Sequence, residues 1–218
     1  MSPPGKEEAT MSDVDIPGYG KLWVANKPDL PLLVVFGGIA VKPSQMDGIK
    51  RNKDEDKPVQ SDVYMWNYMN ALKNRFHIFV SLPPRHVNGP KAFDALKNAR
   101  DEKFAPTQQI LFLFSGGYLP GLGLLGDKAD ANKFSPIFLV DIWMGDDNVA
   151  DFYAHFVNKN ADRVIYVFTE GGPANPDARK KLAGKLGSQK AIKVDAQTGD
   201  VGYMTHMRTN TVAIGMLP

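Results

Sequence analysis

The sequence predicts an α/β fold: a doubly wound, mostly parallel sheet with helices on both faces, forming a three-layer sandwich. Two observations carry that expectation. Short runs of branched and aromatic residues recur along the chain, and they are continuous rather than alternating, as strands buried on both faces require. Between them lie stretches with apolar residues at helical spacing, so strand and helix take turns.

Residues 1–20 contain Pro, Glu and Asp and lack the apolar core of a signal segment. They read as a flexible leader, with Met11 as an alternative start. Residues 21–218 read as one domain, long enough to bury a sizeable core. The first expected strand is Leu32-Leu33-Val34-Val35-Phe36, which ends in Gly37-Gly38. The charged stretch 47–60 (DGIKRNKDEDKPVQ) has no apolar periodicity and reads as a solvated loop. A helix is expected over 63–76, with Ser61 or Asp62 as its N-cap. Within it Tyr64 and Tyr68 share a face and Trp66 points elsewhere. Strands follow at 76–80, 110–114, 137–140 and 164–168, with a shorter sixth at 191–194. Helices are expected over 147–158 and 175–186, the second with Pro176 in its first turn and Gly187 just past its end. Asp146 and Asp147 are suited to cap the first of these. Residues 195–218 read as a loop holding His206, then a short apolar segment.

Composition narrows the function classes. Lys and Arg total 26 against 24 Asp and Glu, a net charge of +2, which gives no field aimed at nucleic acid or an anionic membrane. Cysteine is absent, so disulfides, thiolate catalysis and sulfur-ligated zinc are excluded. His77, His86, His155 and His206 stand far apart with no HxH or HExxH spacing, and nothing asks for a metal. No apolar run approaches the roughly 18 residues of a membrane span. With no export signal in view, the default expectation is a cytoplasmic protein. A nucleotide binder using Gly-rich turns at helix N-termini is disfavoured, since no GxxxxGK[ST] loop occurs.

Parallel strands bring three Gly-Gly turns to one edge of the sheet: Gly37-Gly38, Gly116-Gly117 and Gly171-Gly172. Ligands of open α/β sheets bind beyond that carboxyl edge. Ser115 follows a buried strand and precedes Gly116-Gly117, the context of a nucleophile elbow. Gly117 supplies the small residue two positions after the serine. Leu113 stands where a second small residue belongs, and Pro120 with Gly116, Gly121 and Gly123 predicts a weak or displaced helix afterwards. A serine nucleophile needs a base and an acid that fixes the base's tautomer. His206, beyond the last strand, is the candidate base. Asp141, ending one strand, and Glu170, ending the next, are both candidate acids. An oxyanion would be held by the Gly116 amide and by one from Gly38 or Ile39.

The segments VVFGG (34–38), LFLFSGGYLPG (111–121) and FLVDIWMGD (138–146), with the late His206 and the apolar stretch ending at Leu217, resemble the α/β-hydrolase superfamily. The resemblance spans nearly all of residues 30–218. It implies hydrolysis of an ester, thioester or amide bond through an acyl-serine intermediate, without a cofactor. The partner implied is a small-molecule or acyl substrate, with Tyr118 and Trp143 near the sheet edge suited to an apolar acyl group. Leu113, and Phe36 where esterases often carry a histidine before the oxyanion glycines, depart from the family pattern. The competing reading is an inactive domain of this fold that binds a ligand or a partner protein. The sequence sets no oligomeric state.

Overall fold

A computed structural model describes residues 11–37, 72, 74–81, 87–99, 104, 106–142, 147–170, 177–187, 191–195 and 204–218. Its strands are β1 (Met11–Ile16), β2 (Gly20–Ala25), β3 (Leu32–Phe36), β4 (His77–Ser81), β5 (Gln109–Phe114), β6 (Ile137–Val140), β7 (Ile165–Glu170) and β8 (Ile192–Val194). They form an eight-stranded sheet in the order β1-β2-β4-β3-β5-β6-β7-β8. The β1/β2 and β2/β4 pairs are antiparallel. All pairs from β4 across to β8 are parallel. The helices are α1 (Gly89–Asn98), α2 (Tyr118–Gly126), α3 (Lys128–Ala131), α4 (Asp147–Lys159), α5 (Asp177–Lys185) and α6 (Met204–Gly215).

Continuous apolar strands bury both faces because successive side chains point to opposite sides. Leu32, Val34, Phe36, Leu111, Leu113, Ile137 and Leu139 enter one core, beneath α1, α2, α4 and α5. Leu33, Ile110, Phe112, Phe114, Phe138 and Val140 enter the other, which Leu72 and Ala213 of α6 also join. Helices therefore cover both faces, as expected for the doubly wound α/β sandwich. Asn88 caps α1, its side chain accepting from the Lys91 amide at 3.0 Å, with Pro90 in the first turn.

Two expectations need correction. The flexible leader over residues 1–20 gives way, from Met11 onward, to a β-hairpin. Met11-Ser12-Asp13-Val14-Asp15-Ile16 lacks the continuous apolar run of the central strands: Ser12, Val14 and Asp15 are exposed and Ile16 is buried, as suits an outermost strand. Pro17-Gly18 makes the turn: the Tyr19 amide donates to the Ile16 carbonyl at 2.9 Å, and Gly18 has φ +79. Proline then glycine at those positions is the type II turn sequence, because the second central residue needs positive φ. The loop expected over 195–218 is likewise helical from Met204 to Gly215. Its Thr- and Asn-containing sequence hides the helical period, and tertiary packing on β6, β7 and β8 decides the outcome. The loop 47–60 and nearly all of the helix expected over 63–76, with Tyr64, Trp66 and Tyr68, lie outside the described residues.

Candidate active site

Ser115 immediately follows β5, and Asp141 immediately follows the neighbouring β6. Ser115 has φ +52 and Asp141 φ +43; no other non-glycine residue has a positive φ among the described residues. That backbone region costs an L-residue energy, and a cluster of such residues at adjacent strand ends is a mark of a functional site. After Ser115 the chain makes one 3-10 turn, Ser115–Gly117, and enters α2 directly. Ser115 is half-buried, while Gly116 and Gly117 are buried.

The glycines explain how the turn can be so tight. A Cβ on Gly117 would overlap the Phe36 carbonyl oxygen at the end of β3, so the turn lies against the neighbouring strand. Leu113 is fully buried, and the room that a small residue there would leave is made from the other side. A Cβ on Gly121 of α2 would collide with the Leu113 side chain and the Tyr153 hydroxyl. The helix after Ser115 is therefore formed in place, and the expectation of a weak or displaced one is corrected. Gly121, Gly123 and Gly126 repeat the GxGxxG spacing, yet they lie within α2, where Gly123 meets Pro90, and make no strand-to-helix phosphate loop.

His206 sits in the first turn of α6, and its Nδ1 hydrogen-bonds the Asp141 carboxylate. A carboxylate accepts, so Nδ1 carries the proton and Nε2 is left as the basic nitrogen. The Asp141 side chain is fully buried and that of His206 is 12% exposed, so the imidazole is the member of the pair with an open side. Phe114, the residue before Ser115, stacks on the imidazole at 4.5 Å between centroids and 24° between planes. Among the described residues Ser115 makes no hydrogen bond to His206. Sequence reasoning had no signal for Phe114, whose role depends on α6 lying over its face of the sheet.

A second missed residue is Tyr153 of α4. It is fully buried, and its hydroxyl donates to the Tyr118 carbonyl at 2.7 Å, in the first turn of α2. Burial pushes its pKa well above that of free tyrosine, with Tyr118 adding to the shift. The hydroxyl thus stays a neutral donor and ties α4 to the helix that follows Ser115.

The remaining candidates are placed as follows. Glu170 ends β7, and its side chain lies outside the described residues, as do Gly38, Ile39, Trp143, His86, Asp146 and Gly171-Gly172. Tyr118 is buried at the start of α2. His77 is buried in β4, with Nδ1 accepting from the Ala25 amide at 3.1 Å and Nε2 donating to the Pro28 carbonyl at 3.3 Å. His155 is exposed on α4. Asp147, at the start of α4, pairs with Lys181 of α5 at 2.6 Å. Among the described residues no group of three or more His, Asp or Glu is placed to hold a metal, and no helix is long and apolar enough to cross a membrane.

No known family model matches this sequence. No curated protein matches it either. Solved structures do. The chain is similar to a predicted CIB-like hydrolase from Thermoplasma acidophilum, with TM-score 0.52 and 11% identity over 95% of this chain and 97% of that one. It is also similar to Est1E from Butyrivibrio proteoclasticus, with TM-score 0.51 and 14% identity over 94% and 95%. At these identities the likeness is one of fold.

Proposed function

We propose that this chain, which has the α/β-hydrolase fold, is a serine hydrolase acting on an ester or amide bond of a small-molecule or acyl substrate. The observation that carries the reading is the His206–Asp141 pair, stacked on Phe114 next to a serine at φ +52. That the solved structures of this fold include a hydrolase supports it further.

In this reading Ser115 Oγ attacks the substrate carbonyl carbon while His206 Nε2 takes the hydroxyl proton. Asp141 stabilises the imidazolium through Nδ1. Negative charge gathers on the carbonyl oxygen, where the Gly116 amide at the start of the 3-10 turn is one donor and Gly38 or Ile39 supplies another. The tetrahedral intermediate collapses, the bond to the leaving group breaks, and His206 returns the proton to the departing alcohol or amine. Water, deprotonated by the same nitrogen, then attacks the acyl-serine and releases the acid. Residues of this chain suffice for each step, so no cofactor enters.

A fluorophosphonate forms a stable bond to an activated serine, and intact mass reads it out. One adduct is expected on the protein and none on Ser115→Ala. The competing reading, a domain of this fold that binds without turnover, is favoured by the missing Ser115–His206 hydrogen bond. Failure of the folded protein to form an adduct would establish that reading.

A further inference from the structure

On the far side of the fold, a pocket of about 240 Å³ lies between the end of α2, α3 and the last turns of α4. Arg163, one of its lining residues, precedes β7 by two positions, so the pocket sits at the amino edge of the parallel strands. Ser115 and Asp141 sit at the carboxyl edge. The six residues of β5 separate the two edges by roughly 20 Å.

The lining combines two kinds of surface. Phe152 and Phe156 supply aromatic wall, while Lys128, Lys159 and Arg163 bring three cations with His155 beside them. No aspartate or glutamate lines the pocket. Lys97, Lys133, Lys181 and Lys185 each pair with an aspartate. Lys128 and Lys159 have no such partner among the described residues.

Arg163 is built into the wall. Its Nη2 donates to the Ala131 carbonyl at 2.5 Å and the Phe134 carbonyl at 2.6 Å, and its guanidinium lies 5.9 Å from the Phe156 ring centre. Its Nη1 is buried and has no hydrogen-bond partner among the described residues. Burial also lowers the Arg163 pKa; Asp162 beside it opposes the shift without lining the pocket.

We propose that this pocket binds a phosphate monoester with an aromatic or apolar body. The body packs on Phe152 and Phe156, and the phosphate lies among Lys128, Lys159 and Arg163. Three cations exceed what one carboxylate neutralises and suit a dianion, the lysine ammonium groups donating to its oxygens and Arg163 adding charge from the wall. This inference stands apart from the Ser115 reading and keeps its force whether or not the chain is a hydrolase.

The test is an NMR titration of the full chain carrying Ser115→Ala with phenyl phosphate, with inorganic phosphate as the head-group control. Saturable shifts are expected at Asn132, His155 and Asn160, with His206 unmoved. Inorganic phosphate should bind roughly fivefold more weakly for want of the ring. The double variant Lys128→Gln/Lys159→Gln should weaken phenyl phosphate roughly tenfold. Both lysines are exposed, so the variant keeps its fold, whereas Arg163 holds two carbonyls and is left in place. Absence of saturable shifts at those residues overturns the proposal. So does equal affinity for inorganic phosphate, or undiminished affinity in the double variant.

Discussion

Asp141 holds a conformation that few residue types accept, and this makes one substitution unusually informative. Asparagine tolerates positive φ much as aspartate does, so Asp141→Asn preserves the turn after β6. It removes the charge and offers an amide that can hold His206 in the wrong tautomer. The rate of fluorophosphonate labelling is expected to fall by about 10³ to 10⁴ with the fold intact by circular dichroism. A fall below tenfold would remove Asp141 from the mechanism. The sequence named Ser115, His206 and Asp141 because each stands beyond a strand, where side chains of this fold class converge. It put Asp141 only slightly ahead of Glu170, because choosing between them requires knowing which strand end α6 crosses. Phe114 was unreadable for the same reason: a strand residue facing a core looks alike whether an imidazole or a leucine lies above it.

Where β5 meets α2, the packing replaces one small residue by another. Leu113 takes the space normally left beside an elbow, and Gly121 gives it back from the helix. Leu113→Ala alone should cost about 2–5 kcal/mol through the cavity it leaves. Gly121→Ala alone should cost about 1–3 kcal/mol through overlap. The pair together should cost less than the sum by about 1 kcal/mol or more, since each change relieves the other; urea denaturation of the three variants measures this coupling. Strict additivity would show that the two residues do not share the space. The six strands from β3 to β8 were legible because buried parallel strands are continuous apolar runs. The elements missed are β1 and β2 at the antiparallel edge, α1, the single turn α3, and α6, whose periodicity is weak. For α2 the sequence misled, since glycines that lower helix propensity in isolation here serve close packing against Leu113 and Pro90.

For the molecule as a whole, Tyr153 sets a limit on the alkaline side. Its pKa is raised in the folded state, so the folded chain keeps the proton where the unfolded chain loses it. Above the ordinary tyrosine value near 10 the native state binds more protons, and stability falls as pH rises, by up to about 1.4 kcal/mol per pH unit. Below that value the contribution is fully present. Tyr153→Phe is expected to cost about 1–2 kcal/mol at pH 8, where the bond to the Tyr118 carbonyl is lost. The variant should then decline less steeply between pH 10 and 11 in thermal unfolding; parallel declines would mean that other groups govern alkaline stability. The hairpin turned by Pro17-Gly18 bears on how the molecule behaves in company. β1 is an outermost strand, with Ser12 and Asp15 exposed, and it covers the hydrogen-bonding side of β2, which carries the buried Leu22 and Trp23. A polypeptide begun at Met11 keeps every residue of that cover. One begun at Lys21 leaves the ladder of β2 bare, a ready seam for strand-to-strand aggregation with its neighbours in solution.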